Sequence, residues 1–348
     1  MSATTENTTD ADNARRFPPP PGAGDRGDAA AQVVAIAIGR NEGERLVACL
    51  RALTAQVGRV IYVDSGSTDD SVARARALGA QVVALDMSRP FTAARARNAG
   101  LAEAGEAGFV QFVDGDCELE PGWIATALAA LAADPRLGVV AGRRRERDPG
   151  ASIYNRLCDA EWDTPVGPAR AVGGDMLARR AALAAVGGYD PGLIAGEEPE
   201  MCLRIARAGW AIRRLDAPMT VHDAAMTRLG QWLRRTRRAG HAFAEVSWRH
   251  RHGPERFWQR ETRRALLWGL VLPLAVVLAG LLVTPWAWLG LLAWPAQVAR
   301  IALRDPRPGD RWARALFTVL GKFPEAWGAV EFHLRRLMGR ASGLIEYK

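Results

Sequence analysis

From Gln32 onward, short apolar runs alternate with stretches of helical periodicity. Val33–Ile38 is uninterruptedly apolar and closed by Gly39, the pattern of a strand covered on both faces. In Glu44–Leu53 the residues Leu46, Val47, Leu50 and Leu53 fall on one side of a helix. Val60–Val63, Gln81–Leu85 and Phe109–Val113 read as further strands, with a helix over Ala93–Ala104 between the last two. The turn-rich cluster Asp64–Asp69 separates the second strand from a helix starting near Asp70, with Ser67 or Thr68 as its cap. Strands alternating with helices predict an α/β domain with a Rossmann-like, mostly parallel sheet and right-handed crossovers.

The second half of the domain is less regular. Gly138–Gly142 reads as a strand, followed by the charge run Arg143–Arg147. Gly173-Gly174-Asp175-Met176 and Gly187-Gly188-Tyr189-Asp190 come next. Then Gly196-Glu197-Glu198-Pro199-Glu200 precedes a helix over about Glu200–Ala208, stopped by Gly209.

Beyond Arg264 the pattern changes. Ala265 to Ala299 carries no charge. At about 35 residues it falls short of the roughly 40 that two full membrane spans need. Pro273, Pro285 and Pro295 interrupt it, and Trp268, Trp286, Trp288 and Trp294 suit interfacial anchoring. Arg260, Arg263 and Arg264 precede it, and Arg300, Arg304 and Arg307 follow, so the charge bias keeps both flanks cytoplasmic. The expectation is a hairpin of two short spans turning near Thr284-Pro285, or a re-entrant segment. A buried helix pair in a soluble protein is the alternative. Residues 311–338 mix Trp312, Leu316, Val319, Trp327 and Phe332 with Arg311, Arg314, Arg335 and Arg336. They predict one or two amphipathic helices, lying on an anionic membrane face or packed on the domain. The resulting division is a tail at 1–30, a catalytic domain at 31–250, membrane hairpin or re-entrant helices at 251–303, and amphipathic helices at 304–348.

Composition adds constraints. The 348 residues carry a formal net charge of +8, and only Lys322 and Lys348 among the basic residues are lysine. With so much Ala, Gly and Pro, part of the arginine excess reads as coding bias. The arginines are interleaved with acids in the first domain, which argues against nucleic acid as a partner. Cys49, Cys117, Cys158 and Cys202 are far apart, the pattern of unpaired thiols in a reducing compartment. Residues 1–30 are polar, Pro-rich at Pro18–Pro21 and without an apolar run, which predicts a disordered tail and no secretion signal.

In parallel sheets, ligands bind beyond the carboxyl ends of the strands. The polar clusters fall there: Arg40-Asn41-Glu42 after the first strand, Asp64 after the second, and Asp114-Gly115-Asp116 after the fourth. An Asp-x-Asp turn supplies the one or two carboxylates with which Mg²⁺ or Mn²⁺ is held against phosphate oxygens, and Gly115 lets the backbone bend. Such a cation neutralises the charge that builds on a departing diphosphate. An accepting hydroxyl needs a base, for which Glu197 and Glu198 are candidates; the same pair also suits a helix N-terminus. Arg97 and Asn98 reach phosphate or lie on a solvated helix face. Arg143–Arg147 binds an anionic acceptor or is a solvated charge run.

Taken in order, these segments resemble the family 2 glycosyltransferases of the GT-A fold, over roughly residues 32–245 and in a membrane-associated bacterial form. Val33–Glu42 resembles the opening strand and its Asn-Glu turn. Ile61–Asp70 resembles the nucleotide-binding motif, with Asp64 approaching the base. Arg95–Leu101 resembles the segment near the ribose and diphosphate. Phe112–Asp116 is similar to the metal motif, and Gly196–Gly209 to the Glu-Asp motif and its helix, with Glu198 in place of the usual Asp base. The resemblance implies donor contacts from Arg40, Asn41, Glu42, Asp64, Arg97, Asn98 and Asp114. It implies Mg²⁺ or Mn²⁺ on Asp114 and Asp116, with His222 either a third ligand or a structural residue. Catalysis falls to Glu198 or Glu197. Gly174, Asp175, Gln231, Arg234 and Arg235 form an acceptor or gating region.

Gln231–Arg235 is similar to the Gln-x-x-Arg-Trp motif of processive synthases, but Arg235 stands where that motif has Trp, which implies non-processive action. The implied reaction is inverting transfer from a UDP- or GDP-sugar to a lipid-linked or glycan acceptor, at the cytoplasmic face of an inner membrane. Gly39–Gly43 is too short and acidic for the phosphate loop of a nucleotidyltransferase. A non-catalytic, membrane-associated nucleotide-sugar-binding or scaffold protein of the same fold is the alternative.

Overall fold

The computed structural model describes residues 32–307 and 309–339. The expected tail at 1–30 lies outside them, as do residues 340–348 of the expected C-terminal helices. The chain forms two compact units. The first comprises the chain up to Arg147 together with Trp162–Pro191 and Glu197–Asp223. The second comprises Asp148–Glu161, Gly192–Gly196 and the chain from Ala224 onward.

The first unit opens with β1 (Val33–Gly39), α1 (Glu44–Thr54), β2 (Arg59–Asp64), α2 (Ser71–Ala77), β3 (Gln81–Ala84), α3 (Ala93–Glu103) and β4 (Phe109–Asp114). These four strands are parallel, in the order β3-β2-β1-β4. Strict alternation along β1 explains its unbroken apolar run. Val33, Ala35 and Ala37 face a core with Leu46, Leu50, Leu53 and Trp123. Val34, Ile36 and Ile38 face a second core with Ala94, Phe112 and Met201 on the other side of the sheet. Each large apolar side chain fully buried in this way stabilises by roughly 1.5–3 kcal/mol. At Gly100 a Cβ would stand 2.4 Å from Ile36 Cγ2, so glycine is what lets α3 lie close on the sheet.

The chain continues through β5 (Cys117–Leu119), α4 (Trp123–Ala133), β6 (Leu137–Glu146), α5 (Ile153–Trp162), β7 (Gly167–Pro168), β8 (Met176–Arg179), α6 (Arg180–Ala184), α7 (Glu197–Arg207) and β9 (Ala211–His222). Here the sheet becomes mixed. β8 is antiparallel to both β4 and β6, β6 is parallel to β9, and β5 and β7 pair antiparallel with β9. β8 starts at the edge where β4 ends, with Met176 opposite Phe112, so it must run the other way.

Two expected boundaries move. β6 does not stop at Gly142; it pairs with β9 as far as Glu146 opposite His222, so most of the arginine run is strand. α7 starts at Glu197, not Glu200. Its first-turn N–H groups lack helical acceptors in any case, so Pro199 is tolerated there and the three glutamates favour the positive end of the dipole.

In the second unit, α8 (Leu229–Arg249) is followed by α9 (Gln259–Leu282), which passes through a π-helical stretch at Leu267–Val271. A 3₁₀ helix (Pro285–Leu292), α10 (Ala293–Arg304), α11 (Arg311–Leu320) and α12 (Lys322–Leu337) complete it. α8 and α12 pack through glycines. A Cβ on Gly240 would lie 2.0 Å from the Glu325 carbonyl oxygen, and one on Gly328 would lie 2.0 Å from that of Arg237. α9 is the one helix among the described residues long and apolar enough to cross a membrane. Only 11% of its most apolar stretch is buried, so it is not a core helix. The chain turns at Thr284, as the prolines predict, with Thr284 capping the next helix through its bond from the Trp286 N–H. The second arm does not form a long apolar α-helix, because it begins as the 3₁₀ segment. α11 and α12 each have two faces: Val319 and Phe332 are buried, whereas Trp312, Leu316 and Trp327 are exposed.

Candidate active site

The register of the parallel strands builds the site. Gly39 at the end of β1 is level with Asp64 on β2, and Ile38 is level with Asp114 on β4. The Gly115 N–H donates to the Ile38 carbonyl at 2.8 Å, and a Cβ on Gly115 would lie 3.0 Å from the same oxygen. Glycine is therefore required there for close approach to β1, not for a left-handed bend; Gly115 is not among the positive-φ glycines.

On the side of β2 the polar residues lock two loops together. Asp64 Oδ1 accepts from the Tyr62 hydroxyl at 3.0 Å, and Oδ2 accepts from the N–H groups of Gly66 and Ser67 at 3.0 Å each. Burial pushes the Tyr62 phenol upward, which keeps its proton for that bond. Asn41, at φ 56°, accepts the Thr68 N–H at 2.7 Å and donates its own N–H to Ser67 Oγ at 2.9 Å. Ser67 and Thr68 therefore serve Asn41 instead of capping α2; Asp69 takes the Ser71 N–H. Glu42 pairs with Arg45 at 2.8 Å, and the Arg40 guanidinium sits 5.4 Å from the Phe91 ring centroid.

Arg97 is the hub of the other side. It is 2% exposed, so the solvated-face reading fails. Its guanidinium contacts Asp114 Oδ1 at 2.8 Å, Glu197 Oε1 at 3.0 Å and Glu198 Oε1 at 2.9 Å, with the Tyr189 ring beneath it. Gly174 makes room for this pair, since a Cβ there would stand 2.4 Å from Arg97 Nη2 and 3.0 Å from Asp114 Oδ2. Asn98, expected near the donor, instead holds a loop: its amide donates to the Tyr189 carbonyl at 2.8 Å and accepts the Tyr189 N–H at 2.9 Å. The Glu197 side chain is 4% exposed and that of Glu198 16%, so Glu198 is the more accessible of the two. Burial, and next the neighbouring Glu197, push the Glu198 carboxyl up to about 7 against the opposing pull of Arg97.

Beside β9 lies a second cluster. Asp175, expected in an acceptor region, is buried and fully used: it accepts the Asp114 N–H at 3.0 Å and the Thr220 hydroxyl at 2.7 Å. His222 Nε2 lies 3.3 Å from Asp116 Oδ2, and Nδ1 lies 3.7 Å from Glu146 Oε2. Burial first, and Arg144 second, lower the His222 pKa, so its imidazole is neutral. Asp116, Cys117 and His222 bring ligand atoms within 4.8 Å of one another, as do Asp114, Cys117 and Asp175. Gln231, Arg234 and Arg235 belong to α8 of the second unit. Gln231 accepts the N–H groups of Thr227 and Arg228, Arg235 pairs twice with Glu161, and Arg234 is exposed.

Several site residues escaped the sequence reading. Arg144 lies 3.4 Å from Asp114 Oδ2 and 3.5 Å from Asp175 Oδ2, stacked over Trp162. Its neighbours in the run pair elsewhere: Arg143 with Asp163 at 3.2 Å, Arg145 with Glu120, and Arg147 with Glu118. The solvated-run reading holds for Arg145 and Arg147, which are exposed, and fails for Arg144. A period-two reading of β6 would have set Arg144 on the opposite face from Arg143 and Arg145. Glu146 and Tyr189 carried no comparable signal.

The profile of glycosyl transferase family 2 matches residues 35–170. Pre-mycofactocin glycosyltransferases from two strains of Mycobacterium tuberculosis are 31% identical over 224 residues, 59% of this chain and 45% of theirs. The chain thus spans less than half the length of those relatives. A mannosyltransferase from Pyrobaculum calidifontis, solved with GDP-Man and Mn²⁺, superposes with a TM-score of 0.61. It shares 21% identity, over 86% of this chain and 87% of that one. The segment matched by the family profile thus carries the acids at three adjacent strand ends, and the chain has the GT-A fold of that neighbour.

Proposed function

We propose that this protein is a metal-assisted, inverting glycosyltransferase. It would move a sugar from a UDP- or GDP-sugar to a lipid-linked or glycan acceptor near the cytoplasmic face of a bacterial inner membrane. The observation that carries this reading is the convergence of Asp114, from a strand end, and Glu198, from a helix first turn, on the one guanidinium of Arg97. Metal-site acid and candidate base are thereby held by a single rigid group.

The donor set fits a divalent cation: carboxylates at Asp114 and Asp116, and a neutral imidazole at His222 backed by Glu146. Mg²⁺ or Mn²⁺ held there supplies charge neutralisation for the departing diphosphate. The remaining work belongs to side chains. Asp64 shapes the turn against which the nucleoside lies, with Asn41 joining that turn to the loop after β1. Arg40 and Glu42 flank the same loop. Glu198 takes the proton of the acceptor hydroxyl as that oxygen attacks the anomeric carbon from the face opposite the diphosphate. A carboxyl with a pKa of about 7 is a stronger base than an ordinary one and is still half ionised at neutral pH. Glu197, more deeply buried, keeps Arg97 in place.

Membrane attachment is part of the proposal and rests on α9 and on the apolar residues exposed around the turn: Leu281, Leu282, Val283 and Trp286. Incubation of the full chain with UDP- and GDP-sugars and Mn²⁺ should release nucleoside diphosphate. No release from any donor, together with donor binding intact, would favour the non-catalytic binding protein.

A further inference from the structure

The segment that opens α9 gathers positive charge around one cavity. Arg256, Arg260, Arg263 and Arg264 line one cavity of about 310 Å³, together with Gln259 and Leu267. Among the described residues none of these four arginines makes an ion pair, and all four are exposed. Other arginines of the same unit have acidic partners. Arg235 pairs with Glu161, Arg237 with Glu331, Arg249 with Glu245, and Arg314 with Asp305. Within α9, Arg260 and Arg264 stand four residues apart, and like charges at that spacing destabilise a helix by a few tenths of a kcal/mol.

Backbone strain is concentrated at the same place. Arg256 and Trp258 have φ of 50° and 54°, in the left-handed region that non-glycine residues seldom occupy. Strain of this kind persists where the surrounding structure enforces it, and it clusters at ligand sites. Here it lets the chain enter α9 with Arg256 lining the cavity beside the first helical arginines.

The chemistry of the cavity is that of a phosphate receptor. Planar guanidinium groups bind phosphate oxygens in pairs, and Gln259 adds an amide donor. The cavity also ends at Leu267, the start of the exposed apolar row Leu267, Leu270, Val271 and Leu274. A free anion has no use for that row, whereas a lipid bearing a phosphate head has both parts.

We propose that Arg256, Arg260, Arg263 and Arg264 form a binding site for the phosphate headgroup of an anionic membrane lipid, whose acyl or prenyl chain lies along α9. This rests on the reading of the second unit as membrane-associated, and it gives that association a specific ligand in place of general surface charge. A phosphomonoester, with three oxygens open to several guanidinium groups, is the favoured head over a phosphodiester.

The test uses the full chain and vesicle co-sedimentation. Phosphatidylcholine vesicles alone measure membrane association itself. Vesicles doped with phosphatidic acid or with phosphatidylglycerol, at matched surface charge, measure headgroup preference. Wild type should bind the phosphatidic acid vesicles more tightly, and the Arg260→Gln/Arg264→Gln double variant should lose that preference, roughly tenfold or more in affinity. The charge-matched Arg300→Gln/Arg304→Gln variant, altered at exposed arginines beyond the apolar segment, should retain it. Equal binding to both anionic vesicles, or equal loss in both variants, would overturn the proposal and leave only general charge attraction. Saturable binding of inorganic phosphate that blocks vesicle binding no better in wild type than in the double variant would also overturn it. Failure to bind any vesicle would instead remove the membrane reading on which the site rests.

Discussion

Arg97 and Glu198 lie 2.9 Å apart, and the same guanidinium holds Asp114 at 2.8 Å. One buried cation thus sets both the position and the acidity of the residues proposed to hold the metal and to take the proton. Arg97 pulls the Glu198 pKa down while burial and Glu197 push it up. Transfer should therefore rise with pH as Glu198 ionises, with a midpoint near 7, and level off above it. Arg97→Gln removes the cation that pulls the Glu198 pKa down, so the midpoint should move to higher pH. Leaving buried carboxylates without their cation should also cost about 3–5 kcal/mol of stability. A pH–rate profile paired with denaturant unfolding reads both effects; an unmoved midpoint would show that Glu198 is not the titrating base.

The two glutamates of the α7 first turn should separate by function. Glu198→Gln should leave donor binding intact and cut transfer by about 10²–10⁴-fold, the usual worth of a general base. Glu197→Gln should mainly lower stability, because its carboxylate is buried against Arg97. Nucleotide-induced thermal shifts and steady-state transfer rates distinguish these outcomes. If Glu197→Gln alone abolishes transfer with donor binding intact, the base is Glu197.

Metal dependence offers a separate check. Asp116→Ala should abolish Mn²⁺-stimulated release of nucleoside diphosphate. Glu146→Gln should weaken the apparent Mn²⁺ affinity about 10–100-fold, because Glu146 orients His222 without being a candidate ligand itself. A Mn²⁺ titration of activity measures both. An unchanged response in Asp116→Ala would remove the proposed metal site.

The parts of this site that were legible in the sequence are those fixed by position along the chain. Asp64 and Asp114 end apolar runs, so their places at the ends of the strands that flank β1 follow from the pattern. The parts that escaped depend on what packs against a residue. Arg97 reads from the sequence as a donor contact or a solvated helix residue, and only the folded chain shows carboxylates from β4 and α7 closing over it. The same holds for Arg144, whose place is decided by the extension of β6 along β9. Gln231 shows the opposite limit: its motif-like spacing gives no sign that its side chain caps the start of α8. The mixed half of the sheet was illegible because β8 is only four residues long and its direction is set by where its loop returns.

The packing of α8 against α12 yields a prediction about stability. Gly240 and Gly328 leave no space for a methyl group, since an added Cβ would meet backbone carbonyl oxygens at 2.0 Å. Neither helix can absorb that without moving apart, which would weaken the Arg237–Glu331 ion pair across the same contact. Gly328→Ala should therefore destabilise the second unit by about 1–3 kcal/mol or more, even though alanine favours helix formation on its own. Gly58→Ala is the contrasting substitution: a Cβ there meets nothing within 4 Å and its φ is not positive, so the change should stay within about 0.5 kcal/mol. Thermal unfolding of the two variants, in identical detergent or lipid, makes the comparison. Equal stability of Gly328→Ala and wild type would mean that α8 and α12 do not pack through these glycines.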